Sequence, residues 1–282
     1  MPESIEETSS PTWGKKIAVT GKGGSGKTML TAIMTGLLAK DDNIKLLAID
    51  ADSAINLSYA LGVDIKQTVA EIRSQMIKDP KARAEMKDKN IRVVMEEALE
   101  SGAGFNLLTM GRPEGPGCYC AINDLLKYGI DRLSKQFDIT LIDCEAGPEQ
   151  INRRVVNGVD VLVIVTDSSA RGIRVAGSIL SVLQDDESMK HTSTGLVLNR
   201  CKAKTDDRLI VESARRWGIE IFGRIPDDEC ITEYDSAGKP LIDLPRTSPS
   251  VMAIEEILKR IVPSFKGNYE CLPVKIQQGG RP

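Results

Sequence analysis

The sequence predicts an α/β fold, with one domain built on a mostly parallel central sheet and helices on both faces. Short continuous apolar runs, typical of buried parallel strands, alternate with longer runs of helical periodicity. A glycine-rich turn follows the first apolar run and precedes the first helical pattern. The 282 residues contain no repeat, low-complexity tract or clear linker, so we expect one domain rather than two.

Each strand is predicted from an apolar run that polar or turn-forming residues border on both sides. In chain order the predicted strands are Lys16–Thr20, Lys45–Asp50, Phe105–Met110, Ile139–Asp143, Val159–Thr166, Gly195–Asn199 and Glu220–Ile225.

The helices are predicted where apolar residues recur every three or four positions. They are Thr28–Lys40, Ala54–Leu61, Val69–Ile77, Lys81–Leu99, Ala121–Leu133, Ser169–Leu183, Asp206–Trp217 and Ser250–Val262. Polar residues 1–14 are interpreted as a flexible N-terminal tail, and the Pro- and Gly-broken residues 263–282 as a C-terminal tail. Residues 15–262 then form the folded domain.

Composition excludes several classes of protein. The net charge of −3 disfavours a nucleic-acid partner, and no apolar run approaches the roughly 18 residues of a membrane span. The acidic, polar first ten residues are unlike a secretory signal. We therefore expect a cytoplasmic protein with no membrane partner, whose six cysteines are thiols or ligands rather than disulfides.

The turn after the first strand has the pattern of a phosphate-binding loop. Thr20–Thr28 (T-G-K-G-G-S-G-K-T) fits G-x-x-x-x-G-K-[ST] in the strand–loop–helix context that the motif requires. We expect Lys27 to neutralise the β- and γ-phosphates of ATP, and the Thr28 hydroxyl to bind Mg²⁺. The loop residues predicted to bind nucleotide are Gly21, Lys22, Gly23, Gly24, Ser25, Gly26, Lys27 and Thr28. The alternative is a glycine-rich turn that binds no nucleotide.

The predicted strand Ile139–Asp143 has the form of a Walker B element, an apolar run that ends in a carboxylate. Asp143 is expected to hold Mg²⁺ through water, because Mg²⁺ keeps much of its hydration shell. Gly147 is expected to donate its backbone N–H to the γ-phosphate, as a switch loop does. A helix cap at the strand end is the alternative for Asp143.

Lys22, the lysine inside the loop, indicates one subclass of the proteins with a phosphate-binding loop. With Lys22 the loop reads K-G-G-x-G-K-[ST], and residues 15–262 resemble the deviant Walker A ATPases of the MinD/ParA/nitrogenase-iron-protein class. The resemblance implies a homodimer in the ATP state. It also implies that Lys22, a catalytic residue together with Lys27, contacts the phosphates bound by the other subunit, by the logic of an arginine finger. A solvated loop lysine is the alternative.

The same resemblance assigns roles at three further strand ends. Asp52, the second aspartate of D-x-D, is expected to orient or activate the attacking water, with a cap for the following helix as the alternative. The family's D-A-D-P-N run reads D-A-D-S-A-I-N here, so the shape of this loop departs from the family. Asn199 and Arg200 match the asparagine position that reads the adenine amino group. Pro226 and Asp227 match the adenine-side loop.

A C-x-C pair is the second informative motif. Gly115–Cys120 (G-P-G-C-Y-C) places two thiols in one turn before a predicted helix, whose dipole lowers the pKa of a thiol. Cys118 and Cys120 cannot alone complete a four-ligand tetrahedral site, whereas two subunits of a symmetric dimer supply four thiolates. Two buried cysteines or a redox pair are the alternatives.

Lys22, the C-Y-C pair and the run Asp143–Gln150 (D-C-E-A-G-P-E-Q) together resemble the CooC-type maturation ATPases. These proteins assist nickel insertion into carbon monoxide dehydrogenase and the related acetyl-CoA synthase. The resemblance implies a metallochaperone ATPase that holds Ni²⁺ or Zn²⁺ on Cys118 and Cys120 of each subunit. Its client would be a nickel or iron–sulfur metalloenzyme.

Two other functions stay open. An iron–sulfur cluster ATPase, similar to the nitrogenase iron protein, could hold a cluster on four C-x-C thiolates, although Cys144 lacks the glycines that follow that family's second ligand. A MinD- or ParA-type partitioning ATPase is the other alternative. MinD-like members end in a basic amphipathic helix, whereas residues 263–282 are broken by Pro and Gly.

Overall fold

A computed structural model describes residues 14–78, 95–112, 128, 131–147, 158–184, 189–202 and 208–267. Within these ranges one sheet of eight strands forms the centre of the molecule. The strands are β1 (Lys15–Gly21), β2 (Leu46–Asp50), β3 (Leu99–Gly102), β4 (Phe105–Thr109), β5 (Ile139–Asp143), β6 (Val161–Thr166), β7 (Ser193–Cys201) and β8 (Glu220–Pro226).

The sheet has the order β3-β4-β2-β5-β1-β6-β7-β8. All neighbours pair in parallel except β3 and β4, which form an antiparallel pair at one edge. Since β1 lies between β5 and β6, the loops after β1 and β5 meet at the carboxyl edge of the sheet. In an open parallel sheet this edge is where ligands bind.

The described helices connect these strands. They are α1 (Lys27–Leu38), α2 (Leu57–Leu61), α3 (Val69–Lys78), α4 (Ala170–Gln184), α5 (Arg208–Trp217), α6 (Glu229–Ser236) and α7 (Pro249–Ile261), with a short 3₁₀ turn at Leu241–Asp243. Residues 131–134 are also helical.

Two apolar layers bury the two faces of the sheet. Alternate residues of β1 point to opposite sides, so Ile17 and Val19 join one layer and Ala18 joins the other. The first layer contains residues of α1, α2 and α7, and the second contains residues of α3, α4 and α5. The predicted α/β fold, a mostly parallel sheet with helices on both faces, is confirmed.

The element boundaries differ from the prediction at a few places. Leu99 was assigned to a helix but begins strand β3, and α2 begins at Leu57 rather than at Ala54. Helix α6 was not predicted. Most of the predicted helices Lys81–Leu99 and Ala121–Leu133 lies outside the described residues, as do residues 1–13 and 268–282. Phe265, in the predicted C-terminal tail, is buried in the first apolar layer.

Candidate nucleotide site at the carboxyl edge of the sheet

The loop between β1 and α1 depends on glycine at two close approaches. Gly21 has φ 147°, and a β-carbon there would collide with the Val165 carbonyl oxygen of β6. Gly26 has φ 97°, in the left-handed region that disfavours other residues, and forms the N-cap of α1. These two glycines allow the tight backbone turn that a phosphate-binding loop requires.

The start of α1 is suited to an anion. The first turn carries no acidic residue, and Gly26 gives no side-chain cap, so the partial positive charge of the helix N-terminus is not neutralised from within. Lys27 is only 7% exposed, and its Nζ lies 3.5 Å from the Lys22 carbonyl oxygen. The Ser25 N–H donates to the same carbonyl at 3.1 Å. The lysine side chain is therefore folded back over the loop.

Asp143, at the end of β5, faces this loop from the adjacent strand. Thr28 Oγ1 donates to Asp143 Oδ2 at 2.6 Å, and Asp143 is 1% exposed. Its other oxygen, Oδ1, has no hydrogen-bond partner among the described residues. Burial raises the pKa of Asp143 to about 7, and the Thr28 hydroxyl and nearby Lys27 oppose the rise. A hydroxyl and a carboxylate with one unpartnered oxygen fit Mg²⁺, which prefers oxygen ligands and needs only one or two from the protein.

Asp50, at the end of β2, is a residue that the sequence reasoning missed. It lies opposite Asp143 in the β2–β5 register and is fully buried. Its two oxygens accept the N–H groups of Asp52 at 3.1 Å and Leu57 at 2.9 Å, and these bonds shape the loop between them. Burial raises the pKa of Asp50 to about 6. The signal available in the sequence was the D-x-D run Asp50–Asp52, whose first aspartate ends the predicted strand and whose second lies in the following loop.

Asp52 lies in this loop and is partly exposed. Its Oδ1 accepts the Ala54 N–H at 2.9 Å, so the carboxylate forms a local turn rather than the N-cap of α2. Ile55, three residues on, has φ 54°, which is unfavourable for a β-branched side chain. Such backbone strain concentrates in switch regions and active sites.

The segment after β5 lies against the phosphate-binding loop. The Gly147 N–H donates to the Gly21 carbonyl oxygen at 3.0 Å. Donation of this N–H to a phosphate, as the sequence suggested, would require the bond to open. Cys144 is fully buried, and burial raises the pKa of its thiol, as expected of a packing residue.

The four residues predicted to lie beside adenine are at the carboxyl ends of β7 and β8. Asn199 is buried against the phosphate-binding loop, and Arg200 is exposed with φ 56°. Pro226 pairs in register with Cys201, and the Asp227 N–H donates to the Cys201 carbonyl oxygen at 3.1 Å. The two strand ends are thus tied together beside the loop.

Lys22 forms an ion pair within its own chain. Its Nζ lies 2.7 Å from Asp167 Oδ2, just after β6, and the two side chains are 23% and 34% exposed. Asp167 was not singled out from the sequence, although a carboxylate directly after a predicted strand was the signal. The phosphate-binding loop is bordered by this pair on one side and by Asp143 on the other.

Cys118 and Cys120 lie outside the described residues, so their placement is not tested. Within the described part of the chain, no three His, Cys, Asp or Glu side chains gather as a metal-binding group. Nor does any helix in those ranges combine the length and apolar character needed to cross a bilayer.

A first prediction concerns the pH dependence of stability. Folding raises the pKa of the Asp143 carboxyl, so the ionised carboxylate destabilises the folded state above that pKa. This penalty decreases as the pH falls, because the folded protein then binds the proton. Without Mg²⁺ or nucleotide, we expect Asp143 to contribute about 2 kcal/mol to a rise in the free energy of unfolding between about pH 8 and pH 5.5. Chemical denaturation in chelator, compared between wild type and Asp143→Asn, measures this contribution. Equal pH slopes in the two proteins would contradict it.

A glycine-rich loop that caps a helix beside a threonine–aspartate pair, on a parallel sheet, defines the class of protein as a P-loop nucleotide-binding protein. More specifically, the chain belongs to the CobQ/CobB/MinD/ParA nucleotide binding domain family, whose model matches residues 16–241.

Relatives and solved structures agree with this assignment. An uncharacterised ATP-binding protein of Methanocaldococcus jannaschii is 37% identical over 87% of this chain and 98% of that protein. The carbon monoxide dehydrogenase accessory protein CooC of Rhodospirillum rubrum is 32% identical over 81% of this chain and 90% of its own length. The crystal structure of the cell-division ATPase MinD of Pyrococcus furiosus superposes with a TM-score of 0.66 at 25% identity, covering 88% of this chain and 98% of MinD.

Proposed function

We propose that this protein is a metallochaperone ATPase that dimerises on MgATP and assists nickel insertion into a metalloenzyme of the carbon monoxide dehydrogenase/acetyl-CoA synthase type. The observation that carries the ATPase part is the buried Asp143 carboxylate, whose Oδ2 accepts the Thr28 hydroxyl at the start of α1 and whose Oδ1 has no hydrogen-bond partner among the described residues. The 32% identity to CooC and the C-x-C pair support the nickel part.

In this proposal the residues of the loop bind the phosphates of ATP. The α1 N-terminus and Lys27 neutralise phosphate charge, and Thr28 and Asp143 hold Mg²⁺. Bound Mg²⁺ would supply positive charge to the β- and γ-phosphate oxygens. The residues Asn199, Arg200, Pro226 and Asp227 receive the adenine at the ends of β7 and β8.

Asp52 is proposed to orient the water that attacks the γ-phosphate. It lies in the loop that Asp50 holds through the N–H groups of Asp52 and Leu57, and the strained Ile55 lies between them, as expected of a switch loop. Gly147, on the opposite loop, would report the γ-phosphate through its N–H once the bond to Gly21 opens. The loop of Asp52 and the loop of Gly147 would then both respond to the γ-phosphate.

Dimerisation completes the proposed cycle. Lys22 of each subunit would reach the phosphates of the other, and Cys118 and Cys120 from both subunits would form one thiolate site for Ni²⁺ or Zn²⁺. Hydrolysis would let the subunits separate and release the metal to the client. We place the protein in the cytoplasm, as its composition suggests.

The likeness to MinD supports a second candidate, a spatial-partitioning ATPase, at 25% identity to the Pyrococcus furiosus protein. The two candidate functions share the ATP cycle, but only the metallochaperone requires a metal bound at the C-x-C pairs. An ATP-dependent metal site is therefore the discriminating property.

The ATPase part of the proposal is tested by Asp52→Asn. We expect hydrolysis to fall about a hundredfold or more, because water positioning and proton transfer contribute about 10²–10⁴ to such reactions. ATP affinity should change by less than about threefold, since Asp52 lies in the loop after β2 and not among the phosphate-binding residues. Phosphate release and equilibrium ATP binding are the two measurements. Asp64→Asn, an exposed carboxylate further along the same connection, is the matched control and should keep wild-type hydrolysis. Unchanged hydrolysis in Asp52→Asn would refute the role.

A further inference from the structure

Asn199 connects the end of β7 to the phosphate-binding loop. Its Nδ2 donates to the Ser25 carbonyl oxygen at 2.7 Å, a contact between residues 174 positions apart in the chain. Its Oδ1 accepts the Arg200 N–H at 2.8 Å. Asn199 is 4% exposed and its bond to Ser25 is buried, so leaving that hydrogen bond unmade would be costly, whereas the bond to Arg200 is partly buried.

These two bonds fix the orientation of the amide. Exchanging oxygen and nitrogen would place Oδ1 against the Ser25 carbonyl and the NH₂ group against the Arg200 N–H, so only one orientation satisfies both partners. The left-handed backbone of Arg200, with φ 56°, is part of the same local arrangement. Nδ2 has a second N–H and Oδ1 a second lone pair, so the valence of the amide allows a contact with a base edge as well. A contact with adenine would therefore not displace the contact with Ser25.

The Ser25–Gly26 peptide is a sensitive point of the loop. Gly26 is the N-cap of α1, and a β-carbon on it would collide with Asn199 Nδ2. The amide is thus packed directly against the residue that begins the helix. Any shift of Asn199 would move the carbonyl that precedes the helix N-terminus, on which phosphate binding depends.

We propose that Asn199 is a positioning residue for the phosphates: it holds the Ser25 carbonyl and so fixes the start of α1, independently of any contact with the base. The inference rests on the proposed function in that the loop binds nucleotide phosphates. It differs from the family expectation for this position, which concerns the adenine alone. It also makes a distinct prediction for a ligand that has phosphates and no base.

The test compares Mg²⁺–ATP with Mg²⁺–tripolyphosphate, which lacks base and ribose, by calorimetry on the full chain. Asn199→Ala is expected to weaken tripolyphosphate binding about five- to tenfold, because a buried hydrogen bond that orders the loop is lost. Asn106→Ala is the matched control, because it also removes an asparagine side chain from a strand of the same sheet. The described side-chain contact of Asn106 is with Ser101 and not with the loop, so the tripolyphosphate affinity of this variant should stay at the wild-type value.

Two further readouts separate positioning from general destabilisation. Asn199→Asp keeps the size of the side chain and the acceptor for Arg200, but turns a carboxylate oxygen towards the Ser25 carbonyl. Asn199→Asp should weaken tripolyphosphate binding at least as much as Asn199→Ala does. It also provides the test if the alanine variant does not fold. In steady-state hydrolysis both variants should lower kcat as well as raise KM for ATP, whereas a residue that only reads the base should raise KM.

Wild-type tripolyphosphate affinity in folded Asn199→Ala and Asn199→Asp, with weakened ATP binding, would overturn the inference and leave a base reader. A lower unfolding temperature with unchanged tripolyphosphate affinity would overturn it in favour of a structural role. If the wild-type protein binds neither ATP nor tripolyphosphate, the proposed function itself fails, and the inference falls with it.

Discussion

Replacing Lys22 by alanine is expected to abolish ATP-driven dimerisation while each monomer still binds nucleotide within about threefold of the wild-type affinity. Lys22 bonds at 2.7 Å to Asp167, which follows β6, whereas Lys27 remains to neutralise phosphate within the same subunit. A cation that reaches a transferring phosphoryl group from another chain is worth about 10³–10⁵ in rate. Light scattering with and without MgATP measures the dimer, and equilibrium binding of ATP measures the monomer.

The ion pair with Asp167 makes this prediction sharper. Both side chains are partly exposed, so the pair contributes about 1 kcal/mol or less to stability, and Lys22→Ala should unfold close to the wild-type temperature. Release of Lys22 towards a partner subunit has to break the same pair. Asp167→Asn should therefore lower the ATP concentration needed for dimerisation by about two- to fivefold.

Lys66→Ala is the matched control, because the exposed Lys66 forms an ion pair with Glu100 of the edge strand β3, away from the loop. It should dimerise like the wild type. A Lys22→Ala protein that still pairs on MgATP would exclude a role for this lysine across the interface. An Asp167→Asn protein with an unchanged ATP requirement would mean that the ion pair does not restrain Lys22.

The strands were predictable because burial on both faces leaves a local mark in the sequence. β5 (Ile139–Asp143) lies within the sheet, and its apolar run has the observed bounds. β3 is an edge strand of sequence L-E-S-G with no buried residue, and its antiparallel pairing with β4 is set by the hairpin rather than by an apolar run. α6 has no fully buried residue, and only Cys230, Ile231 and Tyr234 pack partly buried against the first layer, so its apolar pattern is short and weak. A second local signal was Asp228, which caps the helix by accepting the Cys230 N–H.

The candidate site also contains some features that a local sequence pattern predicts and others that it does not. The phosphate-binding loop and Asp143 were visible because a motif or an apolar strand specifies them within a few residues. The bonds of Asn199 to Ser25 and of Lys22 to Asp167 join residues 174 and 145 positions apart. No local pattern encodes such contacts, since they depend on which strands become neighbours in the sheet. Residue types could therefore be assigned to a nucleotide site from the sequence, but the partners that hold them could not.

Replacing Cys118 and Cys120 together by serine is expected to remove the metal from the ATP-bound dimer while sparing nucleotide binding. Two C-x-C pairs supply the four thiolates of a tetrahedral site, and serine hydroxyls bind soft metals poorly. We expect anaerobically purified wild-type protein with MgATP to hold about one metal ion per dimer, and the double variant less than about a tenth of that. Elemental analysis with and without MgATP measures the metal, and calorimetry with ATP measures the nucleotide site.

Cys201→Ser with Cys230→Ser is the control for this experiment, because it also removes two thiols, both partly exposed and at the ends of β7 and α6. The control should keep the metal. Equal metal content in the Cys118/Cys120 variant and the wild type would exclude these ligands, and a wild-type protein that holds no metal with MgATP would favour a partitioning ATPase. Nickel or zinc in the wild-type dimer would support the metallochaperone, whereas iron with acid-labile sulfide would replace it by an iron–sulfur ATPase. Since the thiolates of each subunit fill only half a tetrahedral site, metal retention should follow dimerisation, and Lys22→Ala should lose both together.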